Sequence, residues 1–295
     1  MFEFIATAFG YILNFIYNLV NNYGIAIIIF TILLKLIMLP ISIKQQKTMK
    51  KTARVQEQVK EIQDKYKSDQ LRMNQEMMDL YKRENMNPFS GCLVTLVQFF
   101  IILSMFYLVR RPLTYMRQVE PEIINDYVNE IKEENPNQRL AYTEIAVIKA
   151  KAATDEKVNI NMDFFGVDLS DVPSENLNDF KVYIIPALYV MTSLLSTKMI
   201  RMTNGTTKKE KEEEAVKEEI KKTGKELVKT GKDDEINEEE AMEQMNKSMR
   251  YMMPVMTISI AFIAPLGLAL YWFVSNLLNI IERLLVNKFV KEEEQ

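Results

Sequence analysis

The chain has 295 residues, 48% hydrophobic and 26% charged, with a formal net charge of -3 and no histidine. The missing imidazole excludes Ser-His-Asp and Cys-His catalysis, histidine zinc ligation and histidine pH sensing in one step, and the lone Cys92 excludes an intramolecular disulfide. Apolar and charged residues are segregated, with apolar blocks near 23–43, 92–109, 182–200 and 251–286, a pattern that predicts an all-α polytopic membrane protein with sizeable aqueous segments.

Residues 1–22 begin without the basic start and small-residue cleavage site of a secretory signal, and no cysteine follows for lipid attachment, so cleavage is not expected. Phe2, Ile5, Phe9, Ile12, Ile16 and Leu19 fall on one helical face. An interfacial helix on the outer surface is the reading for 1–22, with an extra span as the alternative. Asn21, Asn22 and Gly24 then punctuate the entry to the first span, 23–43.

Within that span Lys35 is the only charge. It lies nine residues before Lys44, about 13 Å along a straight helix, too far for easy snorkelling. A mid-membrane charge costs at least about 2.5 to 3.5 kcal/mol, so it should face protein or water. No Asp or Glu lies in the middle of another span, and Glu282, near the inner end of the last one, is expected only to graze it. Two readings follow: a packing lysine held by backbone carbonyls and the Gln98 amide, or a hydrated cavity that receives an acidic guest. Side chains available to line such a cavity include Thr31, Gln98, Ser104, Thr192, Ser193, Thr257, Ser259, Ser275, Asn276 and Asn279.

Residues 44–90 read as a helical hairpin projecting into the cytoplasm. Val55, Val59, Ile62 and Tyr66 form one apolar stripe, Met73, Met77, Leu80 and Tyr81 a second, and the break falls near Ser68 and Asp69. The stripes are expected to pack on each other. Met73, Met77 and Met78 carry a sharper expectation, because flexible thioethers suit a surface that accepts varied apolar partners. Between 44 and 84 there are eleven Lys or Arg against seven Asp or Glu, which places this segment in the cytoplasm and the amino terminus outside.

A second span is expected at 91–110, an extracytoplasmic loop at 111–181, a third span at 182–200 and a charged cytoplasmic linker at 201–250. The loop holds eight Lys or Arg against fourteen Asp or Glu and contains "DFFGVDLS", two aromatics before Gly166 that read as a lip at the outer membrane surface. Residues 251–286 are too long for one crossing and carry "APLG", so spans are placed at 251–265 and 266–286, followed by a cytoplasmic tail, 287–295. The fourth span, as the helix from Tyr251 to Ala264, covers only about 21 Å against a hydrocarbon core of roughly 30 Å, which calls for local thinning or help from flanking residues.

The segments "GIAIIIFTILLKLIMLPISIKQQKTMKK", "LYKRENMNPFSGCL", "FFGVDLS", "YMMPVMT" and "GLALYWFVSNL" resemble, in order and spacing, the YidC-type membrane protein insertases, whose relatives serve mitochondria and chloroplasts. The resemblance covers about 23–110 and 160–286. It implies five transmembrane helices around a positively charged hydrophilic groove, open to cytoplasm and lipid and closed toward the outside, with a cytoplasmic hairpin associated with substrate capture. Lys35 takes the place of the family's groove charge, usually arginine, and Trp272 matches its "ALYW" segment; Thr31, Gln98 and Asn276 complete the expected groove. Implied clients are nascent membrane proteins, with the Sec translocon, the ribosome and the signal recognition particle receptor as further partners, and membrane lipid around the groove. No cofactor, metal, enzymatic activity or direct nucleic-acid contact is expected, and the location implied is a bacterial cell membrane. Lysine lacks arginine's planar fork, "GCLVTL" lacks a proline common in the family, and the ending "VKEEEQ" lacks the basic tail that some members bring to the ribosome. The rival reading is a solute or ion carrier using Lys35 as substrate counter-ion, against which the missing inverted repeat and mid-membrane carboxylate count.

Overall fold

The computed structural model describes residues 2–66, 69–84, 90–134, 136, 141–203 and 259–293, with some side chains inside its helices, among them Cys92 and Gln98, outside that description. Most of the expected linker (204–250) and most of the expected fourth span (251–258) also lie outside the described residues, as do Ser68 and Thr257.

The chain is a set of long helices with a small mixed layer at one end. In order they are α1 (Phe2–Val20), α2 (Tyr23–Lys65), α3 (Gln70–Arg83), α4 (Ser90–Arg110), a π-helical turn (Leu113–Arg117), α5 (Pro121–Glu134), α6 (Thr143–Lys151), strands β1 (Asp163–Phe164) and β2 (Val167–Asp168), a 3-10 turn (Phe180–Tyr183), α7 (Ile184–Thr203) and α8 (Leu266–Glu293). Residues 259–263 are also helical. Among the described residues four stretches are long and apolar enough to cross a membrane, Phe2–Val20, Tyr23–Thr48, Phe180–Met199 and Leu266–Val286, and α4 contributes a shorter apolar stretch, Phe99–Arg110. This is an all-α multi-pass membrane architecture.

The helix signals act locally as their chemistry demands. Asn21 takes a left-handed φ of 49°, and the Asn22 side chain caps α2 by accepting from the Ile25 N–H at 3.0 Å. Asp69 does the same for α3, accepting from Arg72 N–H at 3.0 Å. No cap, glycine or apolar break follows Ile43, so the first span and the first hairpin arm are one helix of 43 residues, with Pro40 inside it. The two apolar stripes meet: Val55, Val59 and Leu80 are buried together, with Ile62 and Met77 against them.

Burial is graded along the helices. At the end that carries 111–181, the loop end, Tyr23, Ala26, Ile27, Phe30, Met105, Leu108, Leu266, Leu268 and Tyr271 are all buried in one core shared with α1 and the loop helices. Toward the opposite end, where α3 lies, no residue from 32 to 48 is buried. Tight packing therefore centres on the loop end, while α2 and α8 stay joined as far as Gln46 and Glu282.

α1 slopes into this core. The Tyr17 hydroxyl, near its carboxyl end, accepts from the Asn161 N–H at 2.8 Å, whereas the Phe9 ring lies 5.5 Å from Phe30 and the Phe2 ring 5.3 Å from Phe100. Phe30 and Phe100 stand about 10 and 15 Å along their helices from Tyr23 and Arg110. The amino end of α1 is thus sunk to the middle of α4 while its last turn stays at the loop end.

Residues 161–176 join the loop-end termini of the long helices. Asn161 bonds the Asn21 carbonyl through its amide at 3.0 Å and accepts from Tyr23 N–H through its own carbonyl at 3.0 Å. The Asn22 amide donates to the Asp163 carbonyl at 2.7 Å. Leu169 and Asp171 carbonyls accept from Gly267 and Leu266 N–H, each at 2.9 Å, and Ser174 N–H donates to the Phe262 carbonyl at 3.0 Å. The first two N–H groups of α8, which have no partner within the helix, are satisfied by this segment, and the next two by the Pro265 carbonyl.

Glu144 anchors the loop helices to α4. It is 2% exposed, and it accepts from the Leu113 and Thr114 N–H groups at 2.8 and 3.0 Å and from the Thr114 hydroxyl at 2.5 Å, with Arg111 Nε 3.4 Å away. Burial pushes its carboxyl above the usual glutamate range, against the opposing pull of Thr114, Arg111 and Leu113. Glu144→Ala leaves buried N–H groups unpaired and is expected to cost about 2 kcal/mol, while Glu144→Gln, which keeps an acceptor, costs less than half as much. Because the folded pKa is raised, the folded state holds the proton more tightly, and stability is gained as pH falls through that raised value toward the ordinary 4.5. Melting of the purified protein between neutral pH and pH 5 checks the sign: Glu144→Gln should lessen any acid stabilisation, not any acid loss.

Candidate functional site

α8 packs against both α7 and α2, and one of its faces carries the candidate site. Trp272, Asn276 and Asn279 follow at i, i+4 and i+7, so they share a side of the helix. The Trp272 ring lies 5.5 Å from Tyr189 of α7. Two turns on, the Asn279 side-chain carbonyl accepts a hydrogen bond from the Lys35 ammonium of α2. Asn276, half-buried, lies between these two contacts.

Lys35 is half-buried. One residue after Leu34 in an apolar helix, it has a single side-chain hydrogen-bond acceptor among the described residues, Asn279, while an ammonium carries three donors. Glu282, one turn beyond Asn279, is 9% exposed and accepts from the Gln46 amide at 3.0 Å. Its carboxylate acts on Lys35 electrostatically. The structure bonds Lys35 to Asn279, the Gln98 side chain of the packing reading lies outside the described residues, and the Glu282 charge bears on Lys35. Gln46 had no signal in the sequence, since its partner is 236 residues away.

Other expected lining residues divide. Thr31 is buried and its hydroxyl donates to the Ile27 carbonyl at 2.7 Å, so it serves its own helix. Thr192 does likewise toward Leu188 and Tyr189, and Ser104 donates to the Phe2 carbonyl at 3.5 Å. Trp272, Asn276 and Lys35 are brought to one region; the Gln98 side chain lies outside the described residues. In α3, Met77 belongs to the hairpin core, Met73 is half-buried, and Met78 is 49% exposed, on the same face as Leu71 at 78%. Met78 and Leu71 are the apolar side chains that α3 offers outward.

At the loop end the space between α2 and α7 is roofed by the β1–β2 hairpin, which packs against α2 on one side and the 3-10 turn before α7 on the other. At the other end the inward decline in burial leaves it unroofed among the described residues. Such an arrangement can hold a carboxylate at Lys35 reached from the hairpin end or from between the helices. Among the described residues it has no nucleophile or acid–base pair set for covalent chemistry.

The family model described as "60Kd inner membrane protein" matches residues 15–294. Similar proteins include "Membrane protein insertase YidC" of Granulibacter bethesdensis, 43% identical over 105 residues, which are 36% of this chain and 18% of that protein. Another is "Membrane protein insertase YidC" of Francisella tularensis subsp. novicida, 40% identical over 107 residues, 36% of this chain and 19% of that protein. The matched region therefore spans about a fifth of the length of these curated relatives.

Proposed function

Starting from the fact that the chain belongs to the 60Kd inner membrane protein family, to which YidC-type insertases belong, we propose that it inserts and helps fold integral membrane proteins in a bacterial plasma membrane. The observation that carries this reading is a lysine at mid-span, bonded to one amide and backed by a polar face of α8, in a bundle roofed at the loop end. In this reading the loop end is outside, the amino terminus faces outward, and the hairpin of α2 and α3 lies in the cytoplasm with the carboxyl terminus. The spans are 23–43, 91–110, 182–200, 251–265 and 266–286, and α1 is an oblique wedge in the outer leaflet.

A client is met at Met78 and Leu71 on the hairpin. Its short acidic tail enters the polar face and displaces Asn279 from Lys35, and its apolar segment leaves sideways into lipid. Exposed Leu36, Ile37 and Ile41 on α2 and Met191, Leu194 and Leu195 on α7 give that segment an apolar path. No nucleotide or bond-making step is required. With the inside negative, an acidic tail moving outward gains up to about 2.3 kcal/mol per charge per 100 mV, and burial of the client's apolar segment in lipid contributes more than the tail does. The Sec translocon, the ribosome and the signal recognition particle receptor are partners this reading accommodates at the hairpin and the lateral opening.

The test is site-specific photo-crosslinking from Trp272 and Asn276, with Phe15, 66% exposed on α1, as the reference position. Ribosome-bound chains of a small membrane protein with an acidic tail should crosslink to the first two and not to Phe15, and deletion of the chain's apolar segment should abolish the signal. Nascent chains that reach neither position, or reach Phe15 equally, would rule out this insertion path.

A further inference from the structure

The tip of the β1–β2 hairpin is built at a cost. Phe165 has a left-handed φ of 53° and is 88% exposed, and Gly166 beside it has φ 79°. A bulky aromatic in that backbone region is strained, and water is a poor place to present it. A Cβ added at Gly166 would meet nothing within 4 Å, so none of the described residues covers the tip.

Its height is set by its neighbours. Phe164 lies over Gly24 in the first turn of α2, with Asn22 and Asp163 bonded beside it at 2.7 Å. The Lys181 ammonium donates to the Gly166 carbonyl at 3.3 Å, tying the tip to the turn that starts the apolar stretch Phe180–Met199. Phe180 is 73% exposed and Leu177 62%, the latter held through its carbonyl by the Tyr183 hydroxyl at 3.1 Å. Three exposed apolar side chains thus stand beside the beginnings of two membrane-crossing stretches, whose first turns carry the exposed Ile25 and Ile184.

We propose that Phe165, Leu177 and Phe180 form a wedge seated in the interfacial layer of the leaflet at the loop end, with Lys181 at headgroup level. The occupant is lipid because the patch adjoins the first turns of α2 and α7, which carry the exposed Ile25 and Ile184, and because its chemistry is that of an interface: apolar bodies with the Lys181 cation beside them and the exposed Asp179 carboxylate turned back to accept from the Lys181 N–H. The wedge fixes the roof over the polar face to the bilayer itself. It depends on the helices crossing a membrane and not on the insertase reading.

The experiment replaces Cys92, the chain's only cysteine, with serine and introduces single cysteines by Phe165→Cys, Leu177→Cys, Phe180→Cys and, on the far side of α5, Glu133→Cys. Each full-length protein is labelled with an environment-sensitive fluorophore and reconstituted into phosphatidylethanolamine–phosphatidylglycerol vesicles. Blue-shifted emission at 165, 177 and 180, quenched more by a shallow than by a deep spin-labelled lipid, with water-like emission at 133, is the expected result. Emission at 165 as red and as iodide-accessible as at 133 would overturn the proposal. So would a blue shift at 165 that spin-labelled lipids leave unquenched and that vanishes at one copy per vesicle, since that pattern means protein covers the tip. Because all three labelled positions are exposed, the labels leave the described core in place, the cysteine-free Cys92→Ser parent serves as the folding control, and the insertion assay on the same samples separates this result from the functional reading.

Discussion

Replacing Lys35 with methionine is expected to cut insertion of an acidic-tailed client about tenfold, equivalent to about 1.4 kcal/mol, while leaving a client with a neutral tail unaffected. Two charges about 4 Å apart attract by about 4 kcal/mol at an effective dielectric near 20, and desolvation takes back much of it. Asn279 and the Glu282 carboxylate already occupy part of the lysine's field, so the client gains only the difference. That competition also keeps the pairing short-lived. Lys35→Arg keeps the charge and should retain most activity, with its planar fork offering the tail two donors where lysine offers a point charge. The methionine variant should melt no lower than the parent, because removing a mid-span charge relieves a cost of at least about 2.5 kcal/mol that the loss of one bond to Asn279 does not exceed. Protease protection of a reconstituted client measures the first effect and thermal unfolding in detergent the second. Equal insertion by Lys35→Met would remove electrostatic capture from the mechanism, and Lys35-dependent uptake of an anionic solute by empty proteoliposomes would favour a carrier.

Gly10→Ala should be the most damaging single methyl in the described chain. Its Cβ would lie 1.9 Å from the Tyr115 carbonyl oxygen, 2.5 Å from the carbonyl carbon and 3.2 Å from the Met116 nitrogen. All three are backbone atoms of the π-helical turn, so no rotamer change can relieve the clash, and α1 must lift off. Overpacking in a well-filled core commonly costs about 1 to 3 kcal/mol; with backbone on the far side the expected loss is about 3 kcal/mol or more. Gly166→Ala is the comparison, since its Cβ meets open space and only the positive φ of 79° opposes it, at roughly 1 kcal/mol. Melting temperatures of the two variants, with trypsin access at Arg117 as a local probe, should rank them in that order.

Much of this was readable in advance, and the reasons are local. Asn21, Asn22 and Asp69 announce helix boundaries by their side-chain chemistry, and the hairpin stripes meet because Val55, Val59 and Leu80 repeat at helical spacing. Lys35 stands out because a charge in an apolar run has few explanations. What the sequence concealed depends on distant partners. Glu144 looks like one acid among fourteen in an acidic loop, yet it is buried against backbone 30 residues away. The role of 161–176 as a clasp over the loop-end helix termini rests largely on main-chain groups, which carry no residue-type signature, and its side-chain bonds from Asn22 and Asn161 span about 140 residues of sequence. The slope of α1 is equally silent, since an oblique wedge and a flat interfacial helix need the same apolar face. The polar residues show the converse limit: Thr31 and Thr192 advertise a lining and spend their hydroxyls on their own helices.

The unbroken course of α2 carries a mechanical meaning. A helix of 43 residues is a beam about 64 Å long, clamped at one end by the loop-end core and loaded at the other by whatever grips α3. A beam yields where its internal ties are fewest, and Pro40 removes one such tie five residues from Lys35. Any sideways pull on the hairpin is therefore delivered as bending beside the charge, so that, under the proposed function, a load on the hairpin and the fit of a carboxylate at Lys35 are a single mechanical variable.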